Sequence, residues 1–124
     1  MAEYLYFNSR DELLRVEVSS IVYFEAEGNY TKIVLANGYK AFVCMNLGKM
    51  EKRLSEKLQE KSKRFARVGK RHIINLHFIL QISPLKQILL LSNQKDFQYS
   101  LDISKEALKN LKNLIVNSKL RKQE

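Results

Sequence analysis

Cysteine occurs once in this chain, at Cys44, so no internal disulfide can form and the small disulfide-stapled secreted scaffolds are excluded. A reducing compartment is the natural setting. Proline also occurs once, at Pro84, and glycine four times, which excludes collagen-like, linker-rich and low-complexity architectures. No apolar run approaches the roughly 20 residues that span a bilayer. The opening stretch, MAEYLYFNSRDE, carries acids where a secretory signal would have a basic stretch and an apolar core. A cytoplasmic protein with no membrane partner is expected. The familiar catalytic signatures are missing too: there is no glycine-rich phosphate loop, no His-Glu-x-x-His, no cysteine pair at zinc spacing and no nucleophile elbow. The expectation is a protein that is not an enzyme and needs no cofactor and no metal.

What is present is enough apolar material for a core, 45% of 124 residues, and a pronounced excess of positive charge, +9. That length suits one domain spanning 1–124, with a core over about 5–115 and a basic tail at 118–124. The charge is unevenly placed. Residues 1–48 carry four cations and six acids, net −2, whereas 49–73 carry ten cations and three acids, net +7. Residues 74–124 add eight cations and four acids, net +4. An anionic partner is implied, facing the second half of the chain.

Hydrophobic periodicity predicts a mainly β protein. Residues 4–7 and 14–18 read as strands, and 21–26, 30–36 and 39–43 as a three-strand meander, with Glu27-Gly28-Asn29 and Asn37-Gly38 at its turns. Asn46 is placed to cap an amphipathic helix over 47–60, with Leu47, Met50, Leu54 and Leu58 on one face. Short strands return at 65–68, 72–75, 78–82, 88–91 and 97–101, and a second helix is predicted over 104–117 with Leu108, Leu111, Leu114 and Ile115 in its apolar stripe. Val22, Phe24 and Ile33 are expected inside, packed against Ile74 and Leu76.

Two polar stretches carry the candidate chemistry. Between Arg64 and Ile79 the sequence RFARVGKRHIINLHFI places four cations, Arg64, Arg67, Lys70 and Arg71, ahead of a run of apolar residues. A charge run with such an anchor reads as a loop held in place against something anionic. At the hairpin tip, Asn29, Thr31 and Lys32 offer an amide, a hydroxyl and an ammonium able to meet phosphates or base edges. Two bland readings stand beside these, an ordinary β-turn and a solvated charged surface. His72 and His77, five apart, would point to opposite strand faces, a poor metal pair. Glu25 and Glu27 share a strand face and with Lys70 suggest a metal-dependent nuclease, the weaker alternative. A general nucleic-acid or RNA-binding module is the other.

Five motifs in order resemble the LytTR family of bacterial DNA-binding domains: IVYFEAEGNYTK at 21–32, LGKMEKRLSEKL at 47–58, the FARVGKR start of the basic loop, the IINL strand and the Ser104-Lys105 helix start. The resemblance implies an elongated arrangement of small antiparallel β-sheets with one or two short amphipathic helices. It also implies sequence-specific binding of duplex DNA through basic loops inserted into the grooves, in a transcription regulator of the response-regulator type. Family contacts carry over to Asn29 and Thr31, to Lys70 with Arg71, and to Lys105. The sequence departs from the family at Gly69, where His is common, and at Lys70 and Lys105, where Arg is common. Lysine supplies a point charge and not a bidentate fork, so these two positions suit phosphates better than bases. The expectation is a DNA-binding half alone, without a receiver. A separate signalling protein and a homodimer on repeated DNA sites are further expected partners.

Overall fold

The computed structural model describes residues 3–118, which fall into two compact units. The first unit comprises the chain up to Arg67 together with Arg71–His77, and the second comprises Val68–Lys70 with the chain from Phe78 onward. The basic tail expected at 118–124 lies, beyond Ser118, outside the described residues.

The first unit opens with a hairpin of β1 (Tyr4–Asn8) and β2 (Leu13–Glu17). Its alternation sends Leu5, Phe7 and Val16 inward and leaves Tyr4 and Tyr6 exposed. A five-stranded antiparallel-paired sheet follows, built from β3 (Ile21–Glu27), β4 (Tyr30–Leu35), β5 (Lys40–Val43), β6 (Phe65–Val68) and β7 (His72–Asn75) in the order β5-β4-β3-β7-β6. Gly28 and Asn29 alone join β3 to β4, and only Gly28 has positive φ, the signature of a two-residue II′ turn. The loop from β4 to β5 is longer than the Asn37-Gly38 pair suggested. It takes four residues, with the Asn37 side chain accepting from the Tyr39 amide.

Helix α1 (Leu47–Leu58) packs across β3, β4 and β7 with Leu47, Met50, Leu54 and Leu58 buried. Its cap is as expected: the Asn46 side chain accepts from Lys49 N at 2.8 Å. It stops two residues early because Gln59 turns to φ 51°, and the chain continues as a 3-10 turn over Gln59–Arg64.

The core needs one correction of register. Phe24 pairs with Ile33 and Ile73, and all three lie in the cluster with α1, where Phe24 also meets the Phe65 ring edge-on at 5.7 Å. Ile74 stands opposite Tyr23 and so faces the other side of the sheet, where it is equally buried, while Leu76 is half-buried in a 3-10 turn. A bulge between Ile21 and Tyr23 shifts the alternation, which puts Ile21 in the Phe24 cluster; Val22 is fully buried but lies outside it. A strand buried on both faces carries no period-2 signal to read.

In the second unit β8 (Ile79–Ser83), β9 (Ile88–Ser92) and β10 (Gln98–Asp102) form an antiparallel sheet with β9 central. Phe78 and Phe97 meet edge-on at 5.2 Å. Helix α2 (Lys105–Val116) packs on β8, capped by Ser104, whose hydroxyl accepts from Ala107 N at 3.3 Å. Leu108 and Leu111 are buried but Leu114 is exposed. At about 100° per residue it lies roughly 120° round the helix from Leu108, at the edge of the stripe.

Candidate nucleic-acid interface

In the first unit, the β3–β7 register sets Glu25 beside His72, and the β3–β4 register sets it beside Lys32. The carboxylate is therefore held from both neighbouring strands. Lys32 Nζ lies 2.8 Å from Glu25 Oε1 and 3.7 Å from Glu27, while His72 Nε2 lies 3.0 Å from Glu25 Oε2. Burial works to raise the Glu25 carboxyl, but hydrogen bonds and charge from Lys32 and His72 outweigh it and hold the carboxyl below its ordinary value. The hydrogen bond to Glu25 raises Lys32 in return. Burial pushes His72 down against the opposing pull of Glu25, so the imidazole is neutral near pH 7. An ionised carboxylate only accepts, so His72 Nε2 carries the proton and donates it.

Arg71 is attached to the same edge twice. Its carbonyl oxygen accepts from Ala26 N at 2.9 Å and its Nη2 donates to Ala26 O at 3.2 Å, with Glu25 Oε2 3.9 Å from that nitrogen. The side chain is nevertheless 62% exposed. Asn29, at the tip of the same hairpin, is also exposed.

Two of the sequence candidates are placed differently from expectation. Thr31 is fully buried, and its hydroxyl donates to Met45 O at 2.7 Å, tying β4 to the segment that leads into α1. No ligand at the surface reaches it. Lys32 is half-buried and neutralised by Glu25 and Glu27, so it is not a free cation. The same pairing bears on the nuclease alternative: the space between the two carboxylates already holds an ammonium group. Among the described residues no group of three His, Cys, Asp or Glu side chains is arranged to hold a metal ion. His77 is exposed in a 3-10 turn, because β7 ends at Asn75, whose side-chain amide donates to Ile21 O at 2.8 Å.

In the second unit Gly69 has φ +69°, and a Cβ there would point at Ala107 Cβ (3.8 Å) and Ile103 Cγ2 (3.9 Å). The Gly69-Lys70 turn thus lies against the start of α2, which brings Lys70 and Lys105, both exposed, to the same end of that unit.

The family model described as the LytTr DNA-binding domain matches residues 11–116. The chain belongs to the LytTr family. Its architecture is similar to that of a solved LytTr DNA-binding domain from Bacillus cereus, assigned to a methyl-accepting/DNA response regulator. That likeness has a TM-score of 0.62 at 20% identity and covers 90% of this chain and 95% of the other. No curated protein matches. LytTr domains are the DNA-binding domains of transcriptional response regulators, and DNA is accordingly the partner of this one. Among the described residues no helix of this LytTr chain is long and apolar enough to cross a membrane.

The residue that sequence reasoning missed is His72. It entered only as a poor metal ligand, whereas it is a buried donor to Glu25. Its pairing depends on the register between β3 and β7, strands separated by three others and a helix, and no local pattern encodes that register.

Proposed function

We propose that this LytTr domain binds a specific duplex DNA sequence through its exposed loops and acts as a non-enzymatic transcription regulator. Asn29 and Arg71 supply the contacts of the first unit, and Lys70 and Lys105 those of the second. The observation that carries the reading is the guanidinium of Arg71, fixed at its base to Ala26 yet 62% exposed. A fork held this way suits bidentate recognition of a base edge, with guanine O6 and N7 the matching acceptors. Lys70 and Lys105, as exposed point charges, suit phosphates. Thr31 and Lys32 support the hairpin from within and make no DNA contact in this reading. A homodimer on repeated sites and a separate signalling protein complete the proposed regulatory setting.

Selection from a randomised duplex library tests the proposal. A single enriched motif, bound better than a scrambled duplex and better than the same sequence as RNA, is the expected outcome. Equal binding to all three would establish a general nucleic-acid module instead.

A further inference from the structure

We propose that Glu25 is a positioning residue that makes Arg71 a reader of bases and not a clamp for phosphate. The inference rests on the proposed DNA-binding role of Arg71 and adds to it a determinant of specificity outside the contact surface. The charges of the cluster come first. Glu25, Glu27, Lys32 and Arg71 sum to zero, and His72 adds nothing while its imidazole is neutral. A phosphate approaching Arg71 meets the Glu25 carboxylate beside it, so the usual attraction of an arginine for the backbone is largely cancelled there. A base edge carries no net charge and meets no such opposition. What remains for it is the fork geometry.

That geometry is supplied from behind. Both Glu25 oxygens are engaged, Oε1 by Lys32 at 2.8 Å and Oε2 by His72 at 3.0 Å, so the carboxylate cannot swing out to take Arg71 in a bidentate grip. It offers Arg71 only the 3.9 Å contact to Nη2, the same nitrogen that donates to Ala26 O. Nη2 is thus turned back toward β3. One fork stays open to a ligand: the second proton of Nη2 together with Nη1 or Nε beside it, neither of which has a partner among the described residues. His72 is the outer support, a buried donor that fixes the carboxylate without adding charge.

A merely electrostatic role and a positioning role both predict tighter binding of Glu25→Gln to a scrambled duplex, but they part over discrimination. Removing a negative charge beside DNA strengthens binding to every duplex if charge is all that matters. Under positioning, affinity for a scrambled duplex rises while the preference for the selected duplex collapses, by roughly 5- to 150-fold, the range one good bidentate base contact supplies. The experiment measures Kd on the selected and scrambled duplexes for the wild type, Glu25→Gln, Arg71→Ala and the double variant. Discrimination lost in Glu25→Gln and no further loss in the double variant are expected. If Arg71→Ala keeps full discrimination, the base-reading role of Arg71 is wrong. If Arg71→Ala loses it and Glu25→Gln does not, that role stands and the present inference is overturned. The inference remains testable should Glu25→Gln fold poorly, because nitrogen NMR of the wild-type Arg71 guanidinium reports its rotation without DNA. Slowed rotation is expected, and free averaging would overturn the proposal.

Discussion

At the scale of single residues, the candidates divide by what holds them. Thr31 was legible as a polar group at a hairpin tip, but its hydroxyl belongs to the interior, donating to Met45 O. Thr31→Val keeps the shape and strands that carbonyl, which should cost about 1 to 3 kcal/mol in a urea titration while leaving DNA affinity under native conditions unchanged. A loss of affinity without a loss of stability would return Thr31 to the contact surface. His72 and Glu25 give a second expectation, for pH. Both have folded-state values below their ordinary ones, so for both the unfolded chain binds more protons as pH falls and stability drops with it. The His72 contribution is fully present above its ordinary value of 6.5 and is lost as pH falls from there toward the lowered value. The Glu25 contribution is lost further down, below 4.5. Denaturation midpoints between pH 8 and 5 should therefore fall in the wild type and fall less in His72→Gln; identical profiles would remove His72 from the linkage.

At the scale of elements, α1 and the β3–β4–β7 face stand or fall together. Phe24 is wholly buried between Ile33, Ile73 and the helix. Phe24→Ala should cost about 3 to 5 kcal/mol, the usual range for an aromatic removed from a packed core. A cost under about 1 kcal/mol by denaturant unfolding belongs to exposed sites and would show that the inward face has been misassigned. The helices were easy to read because a 3.6-residue stripe and a polar cap are local features, and Asn46 and Ser104 cap as their sequences suggest. Strand limits were nearly as clear. Which buried neighbour met Phe24 was not, since a one-residue change of register exchanges Ile73 for Ile74 and both are apolar.

For the whole molecule, the positive charge concentrated at 49–73 and near Lys105 is expected to govern how affinity for DNA depends on salt. Roughly four to six phosphate contacts imply a log-log salt slope of about −4 to −5. Lys70→Ala and Lys105→Ala should each flatten it by about one unit and weaken all duplexes alike. A slope near zero in the wild type, measured by titration across a salt series, would remove the phosphate contacts. Not every cation in that segment is available: Arg67 is 3.4 Å from Glu51, and Arg53 donates to Tyr6 O at 3.2 Å. The sequence by itself determined the β-rich class, both helices with their caps, the partner's sign of charge and the family, because each of these is written in composition, period or local motif. Tertiary structure alone decided that Thr31 is buried, that Lys32 is neutralised and that Arg71 is fastened to Ala26 beside a carboxylate held by His72. These depend on which strands pair and in what register, and register is fixed by long-range packing between segments that share no local signal.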